Sequence, residues 1–489
     1  MRIPLKALGR HLALFLVYGV VAVLGTLFLG YVYFLHRQPP LKAWHTAALT
    51  QEFRAADAAQ MPDFPAYLAR EEALFEEVKK EVYDTVSEED RRKFNRFFKG
   101  SLSDPTRVAT NWNRSFVLTQ PNPRGAVVLL HGLTDSPYSL RALGESLHQA
   151  GYFVLGVRMP GHGTAPVGLS RATLEDFTIV TRMAARYARD QVGPQTPLYL
   201  IGYSNGATLA VDYALARMEG EELPAVAGII LLSPAIGVTR GAALAAWQRR
   251  LASLPGLEKL TWQTLVPEFD PYKYNSFPVN GGEQIHRLTT RIEARLNRLD
   301  RGSGITNFPP VLAFQSVVDS TVLPRAVMDR FLRRLAPGNH ELVLFDVRRD
   351  AEAKSLMVAN PETFTEALMA DRITPFGVTA LTSDPQAPRS LRIIRRAAGQ
   401  AEIESTPVPL RWPAGIFSLS HVALPFPPND PVYGDGSGGS PEQIQLGHLE
   451  ARGENGVLAI SPSVLLRLRY NPFFEYVDQR VKAAVSGKR

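Results

Sequence analysis

Residues 198–206 read Leu198-Tyr199-Leu200-Ile201-Gly202-Tyr203-Ser204-Asn205-Gly206, and a helix-forming stretch, residues 207–217, follows at once. The first four are apolar and suit a buried strand. The last five place a serine between two glycines at the strand's end. A strand, a sharp turn and a helix together are the setting in which a serine hydroxyl is lifted clear of a sheet. The turn forces a strained backbone at the serine, and side chains at the flanking positions would collide with neighbouring backbone. The helix that follows aims its unsatisfied N–H groups at the same point. Ser204 is therefore the candidate nucleophile.

Outward from this point, short apolar runs alternate with amphipathic ones. Strands are expected at 114–118, 127–130, 152–157, 198–201, 226–232, 311–318, 341–345 and 416–419, and helices at 138–150, 174–190, 205–217 and 324–336. Such alternation predicts an α/β fold with a mostly parallel sheet covered on both faces. Two stretches break the rhythm. Residues 238–308 read as helix and loop without a clear strand, with Leu244, Trp247, Leu251 and Leu254 on one stripe. Residues 349–410 read as an irregular insertion that leaves the sheet and returns. Before the sheet, residues 64–99 show helical spacing and predict two helices broken near Ser87, packed on the body. Residues 433–441 (YGDGSGGSP) are a loop by composition, and Asp430 and Asp435 are read there as solvated carboxylates rather than metal ligands.

The 489 residues are 45% hydrophobic and 21% charged, which is globular material with ample core. A net charge of +7 without dense basic blocks argues against nucleic-acid binding. The absence of cysteine excludes disulfides and thiol nucleophiles. Residues 12–35 carry no charge over 24 positions, and as a helix they reach about 36 Å, enough to cross a bilayer. Tyr31 and Tyr33 sit where interfacial aromatics are common. A secretory signal would have a shorter apolar region and a small-residue cleavage site. An uncleaved anchor is the expectation. Arg2, Lys6 and Arg10 precede it, against Arg37 and Lys42 after it, so the N-terminus is expected inside. In a bacterial inner membrane the body would then be periplasmic.

A serine needs a base, and the base an acid. In folds of this order the acid follows the nucleophile and the histidine follows both. Of ten histidines, His340, His421 and His448 come late enough. His340 opens a strand, at the wrong edge, and His448 has no strand before it. His421 follows the expected strand 416–419 and is the preferred base. Asp319 and Asp346 both end strands. Asp319 is preferred as the acid, since Asp346 has Arg348 and Arg349 for partners. For a developing oxyanion the expected donors are the backbone N–H groups of Asn205 and of Leu133, in the loop 131–137. No metal or cofactor is required.

Three motifs stand in one order: His131-Gly132-Leu133-Thr134-Asp135-Ser136, Met159-Pro160-Gly161-His162-Gly163, and Gly202-Tyr203-Ser204-Asn205-Gly206. The chain here resembles the monoacylglycerol lipase, carboxylesterase and serine aminopeptidase-like branch of the α/β-hydrolase superfamily, over residues 113–348 and around His421. The resemblance implies the α/β-hydrolase fold, supports Ser204, Asp319 and His421 as a triad with Leu133 and Asn205 as oxyanion donors, makes His162 structural, and makes 238–308 a cap. One departure is the 102-residue interval between Asp319 and His421, longer than in such relatives. The implied organisation is a tail (1–10), an anchor (11–36), a helical extension (37–110), core (111–237), cap (238–308), core (309–348), insertion (349–410) and a closing segment (411–489).

The leading functional expectation is a membrane-anchored hydrolase of carboxylic esters, with a small acyl ester or lipid as substrate. Trp247 and Leu251 could line its acyl pocket. An aminopeptidase or amidase is the alternative, and it needs a cap carboxylate for a free amine, for which Glu258 or Glu268 could serve. A third reading is a silent, membrane-tethered binding protein on the same fold.

Overall fold

The computed structural model describes residues 5–237, 248, 251–252, 254–319, 321–349, 362–414, 416–440, 443–447 and 468–487. The strands are β1 Phe116–Leu118, β2 Ala126–Leu130, β3 Phe153–Val157, β4 Leu198–Tyr203, β5 Gly228–Leu232, β6 Trp262–Thr264, β7 Phe277–Pro278, β8 Val311–Ser316, β9 Glu341–Phe345, β10 Gly377–Asp384, β11 Ala387–Arg396 and β12 Glu404–Arg411. Ten of them form one sheet in the order β1-β3-β2-β4-β5-β8-β9-β10-β11-β12. The run from β3 to β10 is parallel, while β1, β11 and β12 pair antiparallel at the two ends. Strands β2, β3, β4, β5, β8 and β9 are buried at every position. Helices and loops cover both of their faces, which is why they read as unbroken apolar runs. This is the α/β-hydrolase fold.

Four expectations are corrected. The insertion does not leave the sheet: β10 pairs with β9 in parallel, with Thr379 opposite Val343, and β11 and β12 extend the sheet further. Residues 416–419 form no strand. The edge of β9 that such a strand would need is already paired with β10. The helix Phe64–Glu81 forms, but only short turns follow it. Asn95 explains this, because its side chain bonds Asp90 O and the Phe97 N–H and so offers the backbone a turn in place of a helix. The cap, finally, contains a small hairpin, β6 with β7, ahead of the helix Val279–Leu299.

The helix Leu5–Arg37 contains the apolar stretch Leu14–Tyr33, 20 residues of mean hydropathy 2.2 with none of it buried in the protein. The chain docks directly after the helix. Gln38 O accepts from Lys259 Nζ at 2.7 Å. Trp44 stacks on Phe97, with ring centres 5.2 Å apart. His45 is buried against Trp262, with its Nε2 3.1 Å from Ser276 Oγ.

The extension is tied into the core through Arg158, which follows β3 and is 1% exposed. Its guanidinium is held by both Glu52 oxygens at 3.1 Å and by Glu71 at 2.9 Å. A buried cation needs such partners, and here residues of the extension supply them.

Candidate active site

The turn after β4 is forced by packing. A Cβ at Gly202 would stand 2.3 Å from Ala207 N, and one at Gly206 would stand 1.9 Å from Leu130 O. Only glycine fits either place. Between them Ser204 adopts φ +52 and ψ −113, a region that residues with a Cβ avoid at a cost of about 1–3 kcal/mol. Hydrogen bonds hold it there. Ser204 N donates to Leu232 O at 2.9 Å, and Ser204 O accepts from Thr208 N and Ala235 N, each at 3.2 Å.

Three side chains from distant parts of the chain meet at this turn. His421 Nε2 lies 3.2 Å from Ser204 Oγ, and His421 Nδ1 lies 2.8 Å from Asp319 Oδ2. The carboxylate can only accept, so Nδ1 carries the hydrogen and Nε2 is free to accept from the serine hydroxyl. Asp319 is fixed by three donors: Gln315 Nε2 at 2.9 Å, Thr321 N at 2.9 Å and Val322 N at 2.8 Å. His421 opens a short 3-10 turn. Its approach is set by ties to the core, with Arg348 N on Phe417 O at 2.7 Å and Ser316 Oγ on Leu419 O at 2.8 Å. Asp346 is elsewhere, bonded to Thr382 Oγ1 and to Arg349. His340 directly precedes β9, and His448 lies outside the described residues.

Leu133 and Asn205 are both buried, and the loop of Leu133 starts at the serine turn, where a Cβ at Gly206 would stand 2.6 Å from His131 O. Asn205 is the first residue of the helix Asn205–Met218, where a backbone N–H has no partner within the helix. His131 and His162 are structural by their bonding. His131 Nε2 accepts from Met159 N at 3.0 Å and its Nδ1 donates to Gly132 O at 2.8 Å. His162 Nδ1 donates to Pro160 O at 2.9 Å. Burial lowers both imidazoles, His162 to about 4.

The cap presses on the loop 131–137. Tyr274 N donates to Thr134 O at 2.8 Å, and Lys273 Nζ is 2.8 Å from Asp135 Oδ1. No motif marks this pairing of residues far apart in sequence, and the sequence reading missed it. Glu258 and Glu268, the two glutamates considered for an amine, are placed differently. Glu258 is exposed and accepts from Gly256 N. Glu268 is buried with its oxygens on Asn275 N and Ser276 N, and burial pushes its carboxyl up to about 7. Trp247 lies outside the described residues, and Leu251 is exposed. Asp430 is occupied by Tyr138, Arg141 and two backbone N–H groups. A cavity of about 470 Å³ lies away from Ser204, between the helix Phe64–Glu81 and Gly163–Thr164. Of the charged groups that line it, Lys79 pairs with Asp84, and Arg114 pairs with Glu72 outside the lining.

Comparison with known proteins follows the same lines. A family model described as "Serine aminopeptidase, S33" matches residues 121–348. A thermostable monoacylglycerol lipase from Bacillus sp. (strain H-257) is 29% identical over 199 residues, which is 40% of this chain and 72% of that protein. Among solved structures, one described under the metagenome-derived lipolytic enzymes LipS and LipT is 22% identical, covering 48% of this chain and 89% of that one, with a TM-score of 0.38. The monoacylglycerol lipase of Paleococcus ferrophilus is 21% identical, covering 52% and 95%, with a TM-score of 0.36.

Proposed function

The chain belongs to the α/β-hydrolase superfamily, in its monoacylglycerol lipase and esterase branch, and from that premise we propose that it cleaves carboxylic esters through an acyl-enzyme on Ser204. The observation that carries this reading is the pair of distances around His421, 3.2 Å to Ser204 Oγ and 2.8 Å to Asp319 Oδ2. His421 takes the serine proton as Oγ attacks the ester carbonyl, and Asp319 stabilises the imidazolium that results. The backbone N–H groups of Leu133 and Asn205 receive the oxyanion, and each such donor contributes roughly 2.7–4 kcal/mol. The tetrahedral intermediate collapses as His421 protonates the leaving alkoxide. Water, deprotonated by His421, then attacks the acyl-enzyme, and the acid is released with Ser204 restored.

A lipidic ester is the favoured substrate class. The named lipase relative is one support, and the Leu14–Tyr33 helix, read as a membrane anchor with the body on the periplasmic side, is another. The amide-cleaving alternative finds no support at Glu258 or Glu268, since the first is exposed and the second is committed to backbone N–H groups. A screen of p-nitrophenyl esters against aminoacyl anilides tests the assignment. Ester turnover that vanishes in Ser204→Ala is expected. Anilide turnover without ester turnover overturns the ester reading, and equal activity in Ser204→Ala overturns the nucleophile.

A further inference from the structure

The loop that carries the Leu133 N–H also carries a carboxylate. Asp135 is 5% exposed, and it folds back so tightly that a Cβ at Gly132 would meet its Oδ2 at 2.4 Å. Its N–H closes the same turn on Gly132 O at 3.3 Å. The carboxylate therefore lies beside the Gly132–Leu133 peptide, whose N–H is the proposed oxyanion donor. A negative charge there opposes the charge that must develop in the transition state.

Among the described residues, the one ion-pair partner of Asp135 comes from the cap: Lys273 Nζ at 2.8 Å. The cap segment is built to hold that ammonium in place. Asp270 Oδ1 accepts from Tyr272 N at 3.0 Å and from Lys273 N at 3.1 Å. Asn275 Oδ1 accepts from Phe269 N and Asp270 N, both at 2.9 Å. Tyr272 stacks on Tyr138 with ring centres 3.7 Å apart, and Arg469 clamps Asp270 from the C-terminal segment at 3.1 Å.

We infer that Lys273 is a positioning residue for the oxyanion loop: it cancels the charge that Asp135 brings beside the N–H groups facing the developing oxyanion. The inference rests on the Ser204 reading above. Burial raises the Asp135 carboxyl and Lys273 opposes that rise, with Asp270 and His421 as the further charged neighbours. The groups around His421 are Ser204, Asp319 on the loop after β8, Tyr203 at the end of β4, and more distantly Asp135 with its Lys273.

The two single substitutions make opposite predictions. In Lys273→Met an uncompensated carboxylate stabilises the His421 imidazolium, so the acid limb of kcat/KM moves to higher pH. In Asp135→Asn an uncompensated ammonium does the reverse, and the limb moves to lower pH. With detergent-solubilised full-length chain and p-nitrophenyl butyrate, Lys273→Met should lower kcat about tenfold, less than the loss of a direct donor, with KM changed less than about twofold. The double substitution should recover kcat and return the limb toward its original position. Because it leaves no buried unpaired charge, it also serves if Lys273→Met does not accumulate. A double variant as slow as Lys273→Met, or limbs that stay in place or move in the same direction in the two single variants, overturns the inference. Full activity in Ser204→Ala instead overturns the reading beneath it, so the two failures are distinguishable.

Discussion

Asp319 Oδ2 stands 2.8 Å from His421 Nδ1 although 102 residues separate them. Three strands of sheet, β10 to β12, occupy that interval. The pair depends on those strands only through the path of the chain, since Asp319 is fixed by its own loop and His421 by ties to Ser316 and Arg348. Asp319→Asn should therefore leave the fold intact while reducing kcat by on the order of 10⁴ through the wrong imidazole tautomer. Circular dichroism alongside ester kinetics checks this. A loss under about tenfold would remove Asp319 from the role of acid.

The backbone at Ser204 stores strain that its side chain does not need for folding. Ser204→Gly and Ser204→Ala should both be inactive, but glycine accepts φ +52 without strain, whereas alanine keeps the strain that serine carries. The glycine variant should be more stable than the alanine variant by about 1 kcal/mol, the strain relief less the extra chain entropy of glycine. Denaturant midpoints of the two variants measure the difference.

The neighbouring glycines should tolerate nothing larger. Gly206→Ala sets a Cβ against Leu130 O, and the turn can relieve the clash only by moving. A loss of at least about 1–3 kcal/mol, together with loss of labelling by a fluorophosphonate probe, is expected. Retained labelling at the wild-type rate would show that the turn yields more easily than its packing indicates.

Acid should weaken the fold through His162. Burial holds this imidazole neutral with a pKa of about 4, whereas the unfolded chain protonates near about 6.5. The unfolded state therefore binds the proton first as pH falls. Stability is full above about pH 6.5 and declines toward pH 4, by about 3 kcal/mol from this one group. Thermal midpoints at pH 7 and pH 4.5 should differ less in His162→Gln than in the parent chain.

Glu52 should matter far more than a residue of a mere extension. Removing it leaves the buried Arg158 with Glu71 as its one remaining carboxylate and costs about 3–5 kcal/mol. By the same argument a chain starting at residue 111 should fail to fold, since it lacks both carboxylates. Soluble, active protein from that truncation would show that the core folds without the extension.

The parts of this molecule that the sequence makes legible are those governed by local constraint. The serine turn follows from two glycines that no other residue can replace, and the parallel core strands from runs of Val, Ile and Leu. Longer-range features were less visible. The structure brings His421 to Ser204, but without the strand expected at 416–419; tertiary hydrogen bonds from Ser316 and Arg348 guide that segment instead. Strand β11 is partly masked by its arginines, with Arg389, Arg392, Arg395 and Arg396 interrupting the apolar positions Leu391, Ile393 and Ile394. The second helix expected after Ser87 lost to side-chain turns at Asn95. The Lys273–Asp135 pair leaves no trace at all in sequence, because nothing local ties a lysine of the cap to a turn 138 positions earlier.

The docking of residues 38–45 onto the cap would limit how a chain anchored by its long helix, as proposed, hangs from a bilayer. Gln38, one residue past the end of the long helix, already touches Lys259, and His45 is wedged beneath Trp262. A leash needs slack, and this one has none. With the Leu14–Tyr33 helix embedded as proposed, the cap is held at the height of the lipid headgroups, and the catalytic body can neither swing outward nor turn its far side to the membrane without first undocking those residues.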